Sequence, residues 1–174
     1  GLGDVYKRQD SVKKSKSALD MPVTYSASDS ITFEQFDRRA NLFGSGVVKY
    51  QNLELQAELI TMSLDSSLVH AVGRADSAGN VKGQPVFKQG SDEYEPEKIS
   101  YNFKTQKAFI NNVYTQQGEG YLISEESKRD HEGVMYVRHG KYTTCDASHP
   151  HFYLSLTRAK VRPGKDVVFG PASL

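Results

Sequence analysis

From Pro22 onward the chain advances in short segments whose apolar and polar residues alternate one by one. Nowhere does an apolar residue recur at i, i+3, i+4 and i+7 for long enough to make a helix. Single-residue alternation puts the apolar side chains on one face of a pleated strand. Val23, Tyr25 and Ala27 share a face, with Thr24 and Ser26 opposite, and Ile31 and Phe33 repeat the pattern against Ser30, Thr32 and Glu34. Asn41-Leu42-Phe43-Gly44, Val47-Val48-Lys49-Tyr50, Leu53-Leu55-Ala57, Ile60-Met62-Leu64 and Leu68 to Val72 follow in the same manner. Turn signals spaced by roughly 8 to 12 residues mark a sandwich, roll or solenoid. The expected fold class is therefore all-β, built from short, bent antiparallel strands.

A weak internal repeat refines this. Ser26–Phe33, Gln56–Met62, Glu95–Tyr101 and Leu156–Val161 each carry a small or bent position, polar residues, and then an apolar-polar-apolar strand. In the second copy the inward phase slips between Ala57 and Ile60, and in the third between Tyr94 and Ile99. A one-residue slip sends side chains to the wrong face unless the strand bulges or bends there. Strands that bend and cross between two sheets are what a roll requires, and a unit too thin to bury its own core must stack on a neighbour or hold a guest. Tyr (10) and Phe (8) are plentiful, Trp is absent and only 37% of residues are hydrophobic, which suits thin sheets better than a thick core. A net charge of +1 leaves no electrostatic case for nucleic acid or an anionic membrane surface.

The first 21 residues read differently. Asp4 to Gln9 resembles a translated sequencing adapter, and Asp10 to Asp20 is Ser/Lys/Asp-rich with little to bury. We expect residues 1–21 to be an adapter-like artefact plus a flexible linker, with one domain over 22–174, cut from a longer protein.

Candidate chemistry is sparse. Gly44-Ser45-Gly46 and Gly118-Glu119-Gly120 lie between strand-like segments with no helix following, so they read as turn or bulge glycines rather than phosphate loops. Glu125, Glu126, Asp130 and Glu132 sit in a mixed-charge stretch that reads as a solvated hairpin tip rather than a glycosidase pair. His139, Cys145, His149 and His151 lack the close ligand spacing and sulfur content of structural zinc, and Pro150 interrupts the strand that would align two of them. Neither a metal, a cofactor nor a catalytic residue is expected. The lone cysteine, Cys145, is either an inert core thiol or half of a bond whose other half lies elsewhere. Its polar, turn-like neighbours Tyr142, Thr143, Thr144 and Asp146 favour an accessible thiol.

Several motifs then carry a resemblance. Val23 to Phe33, Leu42-Phe43-Gly44-Ser45-Gly46-Val47, Pro85-Val86-Phe87, Ile99 to Thr105, Tyr142-Thr143-Thr144-Cys145-Asp146, His149 to Leu154 and Lys160 to Lys165 together resemble the OstA-type domain of lipopolysaccharide-transport proteins. The order of motifs is most similar to the N-terminal periplasmic domain of the LptD family in its Bacteroidetes form. That resemblance implies an open, curled β-jelly roll at the periplasmic face of the outer membrane, with no enzyme activity. The implied groove shields lipid A acyl chains, with Ile31, Phe33, Leu42, Val48, Leu55, Ile60, Met62, Val69, Val86, Ile99, Tyr101 and Ile110 as inward candidates by alternation. An ordinary sandwich core would use the same twelve. Implied partners are lipopolysaccharide, an LptA-like bridge protein, a C-terminal β-barrel and its plug lipoprotein. The bridge protein would pair with an edge strand at Val23, Thr24, Tyr25, Ser26 and Ala27. Cys145 would bond a cysteine near the barrel. The alternatives are a soluble LptA-like bridge protein and a β-solenoid surface module.

Overall fold

The computed structural model describes residues 4–6, 13–15, 23–117, 119–145 and 151–173. Among them there are eighteen strands and no helix. The strands are β1 (Asp4–Tyr6), β2 (Lys13–Ser15), β3 (Val23–Ser26), β4 (Ser30–Glu34), β5 (Arg39–Tyr50), β6 (Leu53–Ser63), β7 (Leu68–Val72), β8 (Arg74–Ala75) and β9 (Val81–Lys82). They continue with β10 (Val86–Gln89), β11 (Asp92–Tyr94), β12 (Lys98–Asn102), β13 (Lys107–Gln117), β14 (Gly120–Arg129), β15 (Met135–Thr143), β16 (Leu154–Arg162), β17 (Asp166–Phe169) and β18 (Ala172–Ser173). The chain divides into two compact units, residues 1–105 and 106–174.

In the first unit two long strands, β5 and β6, are each shared between two half-sheets. β4 pairs with Arg39–Phe43 of β5, while β3 pairs with Val47–Lys49 of the same strand. Likewise β7 takes Leu59–Ser63 of β6, and β10 takes Leu53–Gln56. One half-sheet therefore runs β1-β4-β5-β6-β7-β12 and the other β2-β3-β5-β6-β10-β11. The division falls at a bulge. Phe43 opposes Leu59 and Gly46 opposes Ala57, which leaves Gly44 and Ser45 facing the single residue Glu58.

The residue types suit that bulge. Gly44 (φ +75°) and Ser45 (φ +45°) lie in the left-handed region that an extra residue demands. The Ser45 N–H donates to the Glu58 carboxylate at 3.3 Å. The Ser28 N–H and hydroxyl both donate to the Gly44 carbonyl, at 2.7 and 2.8 Å. A Cβ on Gly44 would stand 2.4 Å from Cγ of Asp29. Across the bulge the buried positions of β6 change from Leu53, Leu55 and Ala57 to Ile60 and Met62, which is the slip expected from the sequence. The third-copy slip is a crossing between half-sheets: Tyr94 ends β11 in one and Ile99 enters β12 in the other, both buried.

The second unit is a meander, β13-β14-β15-β16-β17, with β18 also on β16. Its four long strands bend on one line. Register places Asn112, Glu125, His139 and Thr157 opposite one another, and the inward phase slips at or beside this row in every strand. In β13 it passes from Ala108 and Ile110 to Val113 and Thr115, and in β16 from Leu156 to Ala159 and Val161. Asn112 (φ +51°) and His139 (φ +52°) absorb the bend in alternate strands. Asn and His are among the residues that tolerate that region best.

Three sequence expectations differ from this architecture. Within the stretch read as artefact and linker, β1 pairs with β4 and β2 with β3. Consequently Val23–Ser26 is not an unpaired edge, because β3 lies between β2 and β5; an exposed row of backbone donors and acceptors is readily covered by a neighbouring extended segment. In β10 the inward residue is Phe87, not Val86: Phe87 opposes Leu55 and is fully buried, whereas Val86 is half-buried. Finally, Glu125 and Glu126 lie within β14 rather than in a loop. The hairpin tip begins only at Asp130, whose carboxylate accepts from the Glu132 and Val134 N–H groups. The inward residues of that stretch, Ser124, Ser127 and Arg129, are polar, so alternation of hydrophobicity could not reveal the strand.

Candidate functional site

In the second unit the inner face is built from rows that cross the sheet. One row is Ile110, Ser127, Val137, Ala159 and Phe169; the next is Ala108, Arg129, Met135, Val161 and Val167. From β13 to β16 these side chains are buried, down to 0% exposure at Ile110 and Val161. At β17 the rows emerge: Phe169 is 49% exposed and Val167 half-buried. Tyr142, Leu156, Val167 and Phe169 there border a cleft of about 520 Å³ whose rim carries Arg162 and Asp166.

That rim is held by an ion pair. Arg162 and Asp166 bracket the Pro163-Gly164-Lys165 turn of the β16–β17 hairpin and are bonded through Nη2 and Oδ2. The bond from Arg162 holds the Asp166 carboxyl below its ordinary range, with the charges of Lys160 and Lys165 adding to the effect. β17 pairs with β16 on one side and, among the described residues, with no second strand. The site thus offers an apolar face, a charged rim and an open backbone edge. Its geometry can hold chain-like apolar matter and pair with an added strand. Among the described residues no nucleophile with an orienting base is placed there.

Ten of the twelve inward candidates are buried. Leu42, Val48, Leu55, Ile60, Val69 and Ile110 are at 0% exposure, with Ile31, Met62, Ile99 and Tyr101 close behind. Phe33 is half-buried, as is Val86. In the first unit these residues fill the interior themselves, together with aromatic side chains that alternation also predicts but that were not singled out. Tyr101 stands 5.8 Å from Phe87 and 5.4 Å from Phe103, and Tyr50 is 5.2 Å from Phe103, centroid to centroid. Among the described residues that unit has a packed core, and in the second unit the exposed part of the inner face lies at β17, where Phe169 was missed because a lone aromatic before Gly-Pro carries no periodic signal.

Cys145 is a free, half-buried thiol just past the end of β15. Its N–H donates to the Thr143 hydroxyl at 3.0 Å, which in turn donates to the Phe152 carbonyl at 2.8 Å. The Thr-Thr-Cys segment is therefore tied to the start of the next strand. Residues 146–150, including His149, lie outside the described residues, and His139 is an exposed residue at the bend of β15.

No family model matches the sequence, and no curated protein does. Among solved structures, it matches LptH, the LptA-homologous periplasmic component of the lipopolysaccharide transport device from Pseudomonas aeruginosa. The two align with a TM-score of 0.55 over 87% of this chain and 97% of that one, at 16% sequence identity. The fold is the LptA-like β-jelly roll. This agrees with the all-β, antiparallel architecture expected from the alternation and with the fold implied by the resemblance.

Proposed function

We propose that this chain is a non-enzymatic, periplasmic lipopolysaccharide-transport module of the LptA-like bridge type. The observation that carries the reading is the inner face of the second unit, whose two rows are apolar on β13, β15 and β16, carry Ser127 and Arg129 on β14, and surface at the open edge of β17. The fold it shares with LptH supports the same reading. Burial of apolar chain is worth about 0.8 kcal/mol per CH₂, so an acyl chain entering between Leu156, Val167 and Phe169 gains affinity without specific contacts. Widening the closed interior of the first unit would expose more such surface. The bridge partner would add a strand at β17 rather than at Val23–Ala27.

A second reading, an LptD-type N-terminal domain serving a C-terminal barrel and plug lipoprotein, is favoured by one observation. Cys145 is a free, partly accessible thiol within the Thr-Thr-Cys-Asp motif, as an inter-domain disulfide needs. The β-solenoid reading fits poorly, because the described strand pairings are antiparallel. The test is a photo-crosslinking residue at Phe169, Leu156 or Ile60, with the exposed Lys98 as control. Adducts with lipopolysaccharide are expected at Phe169 and Leu156. Adducts confined to Lys98 would refute the proposal.

A further inference from the structure

The outer face of the second unit's sheet breaks the rule by which sheets are stabilised. Side chains directly opposite on neighbouring strands are neighbours in space, and like charges so placed repel. Arg138 of β15 lies directly opposite Arg158 of β16, with Glu126 of β14 opposite it on the other side, so that one carboxylate faces two guanidinium groups in the row. The adjacent outward row runs Phe109, Lys128, Tyr136, Lys160, Val168, so that aromatic and cationic residues alternate across the strands. The Lys160 ammonium sits 5.6 Å from the centroid of the Tyr136 ring. Phe109, Tyr136 and Val168 are 38%, 45% and 55% exposed, unusual for side chains of this size on an outward face.

These residues border a cleft of about 820 Å³ on the second unit. Its ionisable lining is Lys128, Arg138, Arg158 and Lys160 against the single carboxylate Glu126, four cations to one anion. The whole chain, by contrast, has 22 Lys and Arg against 21 Asp and Glu. The excess is therefore local. Folding alone does not call for it, since one carboxylate at position 158 would relieve the repulsion. Local conflicts of this kind concentrate where a surface has a task.

We infer that this cleft binds a phosphorylated saccharide. Guanidinium groups side by side match the oxygens of a phosphate, and the flat rings of Tyr136 and Phe109 offer platforms for the apolar face of a sugar. The volume lies in the range of small-molecule sites, and near-neutral net charge argues against a polyanion spread over the surface. The inference does not depend on the lipid-transport reading: its cationic and aromatic side chains are the outward ones of the sheet, although Phe169 borders both clefts.

The experiment is an amide-resolved NMR titration of the whole chain with glucose 1-phosphate, alongside glucose and inorganic phosphate separately. Saturable shifts are expected at Tyr136, Arg138, Arg158 and Lys160. The paired variant R138Q/R158Q should weaken binding by at least about tenfold, the size expected for loss of charge-assisted hydrogen bonds. Its thermal unfolding should stay close to the parent's, because the Arg138–Arg158 repulsion and the opposed Glu126–Arg138 charges are lost together. Y136A should weaken glucose 1-phosphate but leave inorganic phosphate unaffected. Should R138Q/R158Q fail to fold, K128Q/K160Q makes the same test. Three results would overturn the inference: no shift with glucose 1-phosphate, equal affinity for inorganic phosphate, or capture by phosphatidylglycerol vesicles through these residues without any binding of the sugar phosphate. Lipopolysaccharide crosslinking at Leu156, which borders the apolar cleft and not this one, is a separate readout, so either proposal can fail alone.

Discussion

The bend of the second unit rests on His139, and replacing it by valine tests the reasoning. Valine is the better strand residue, and at an ordinary exposed position in a sheet it is neutral or favourable by up to about 1 kcal/mol. His139 is exposed and lies within β15, so composition alone predicts that H139V is harmless. Its φ of +52° reverses the expectation. The left-handed region costs an L-residue roughly 1–2 kcal/mol, and a β-branched side chain fits it worst. H139V should therefore destabilise by about 1–2 kcal/mol. In a chain of this length that lowers Tm by about 2–8 °C.

Ser155 supplies the control. It is exposed on the neighbouring strand β16, opposite Lys141, and has no positive φ. S155V should be neutral or slightly stabilising. H139N should match the parent, since asparagine tolerates the same conformation. With no tryptophan in the chain, unfolding is best followed by far-UV circular dichroism in urea, checked by tyrosine fluorescence. If H139V is as stable as the parent while S155V behaves as expected, the bend does not depend on the backbone at position 139 and the argument fails.

The remaining predictions concern the core, the rim and the thiol. L55A deletes a fully buried side chain opposite Phe87 and Val48, and should cost about 2.7–5 kcal/mol by denaturant unfolding; a loss under about 1 kcal/mol would mean this interior is not closed. The Asp166 carboxyl ionises below its ordinary range when folded, so its contact with Arg162 contributes above the ordinary carboxylate pKa and is lost as pH falls through the lowered folded value. Amide exchange at Val167 and Val168 should thus lose protection in acid beyond the intrinsic pH effect, and D166N should abolish that extra step. Cys145 should react with a maleimide in the folded chain, more slowly than a small-molecule thiol because it is half-buried, and C145S should leave Tm unchanged.

Alternation by itself determined that this chain is all-β, where most strands run and which of their faces is buried, because the two-residue period of a strand is written directly in side-chain polarity. It also located the slip at Ala57–Ile60, since a bulge must show as a break in phase. It could not say that β5 and β6 each serve two half-sheets, because partner choice depends on hydrogen bonds between distant backbones, whose chemistry is the same in every residue. Nor could it find β14 beyond Ser124, where Ser127 and Arg129 face inward, or separate Val86 from Phe87, two apolar neighbours of which only one can point in. The shared bend through Asn112, Glu125, His139 and Thr157 was equally hidden, as these four have nothing in common except their register. The same holds for Arg138 and Arg158. Twenty residues apart in the chain, they become neighbours only when β15 and β16 pair, and tertiary structure alone turned two scattered cations into a candidate site.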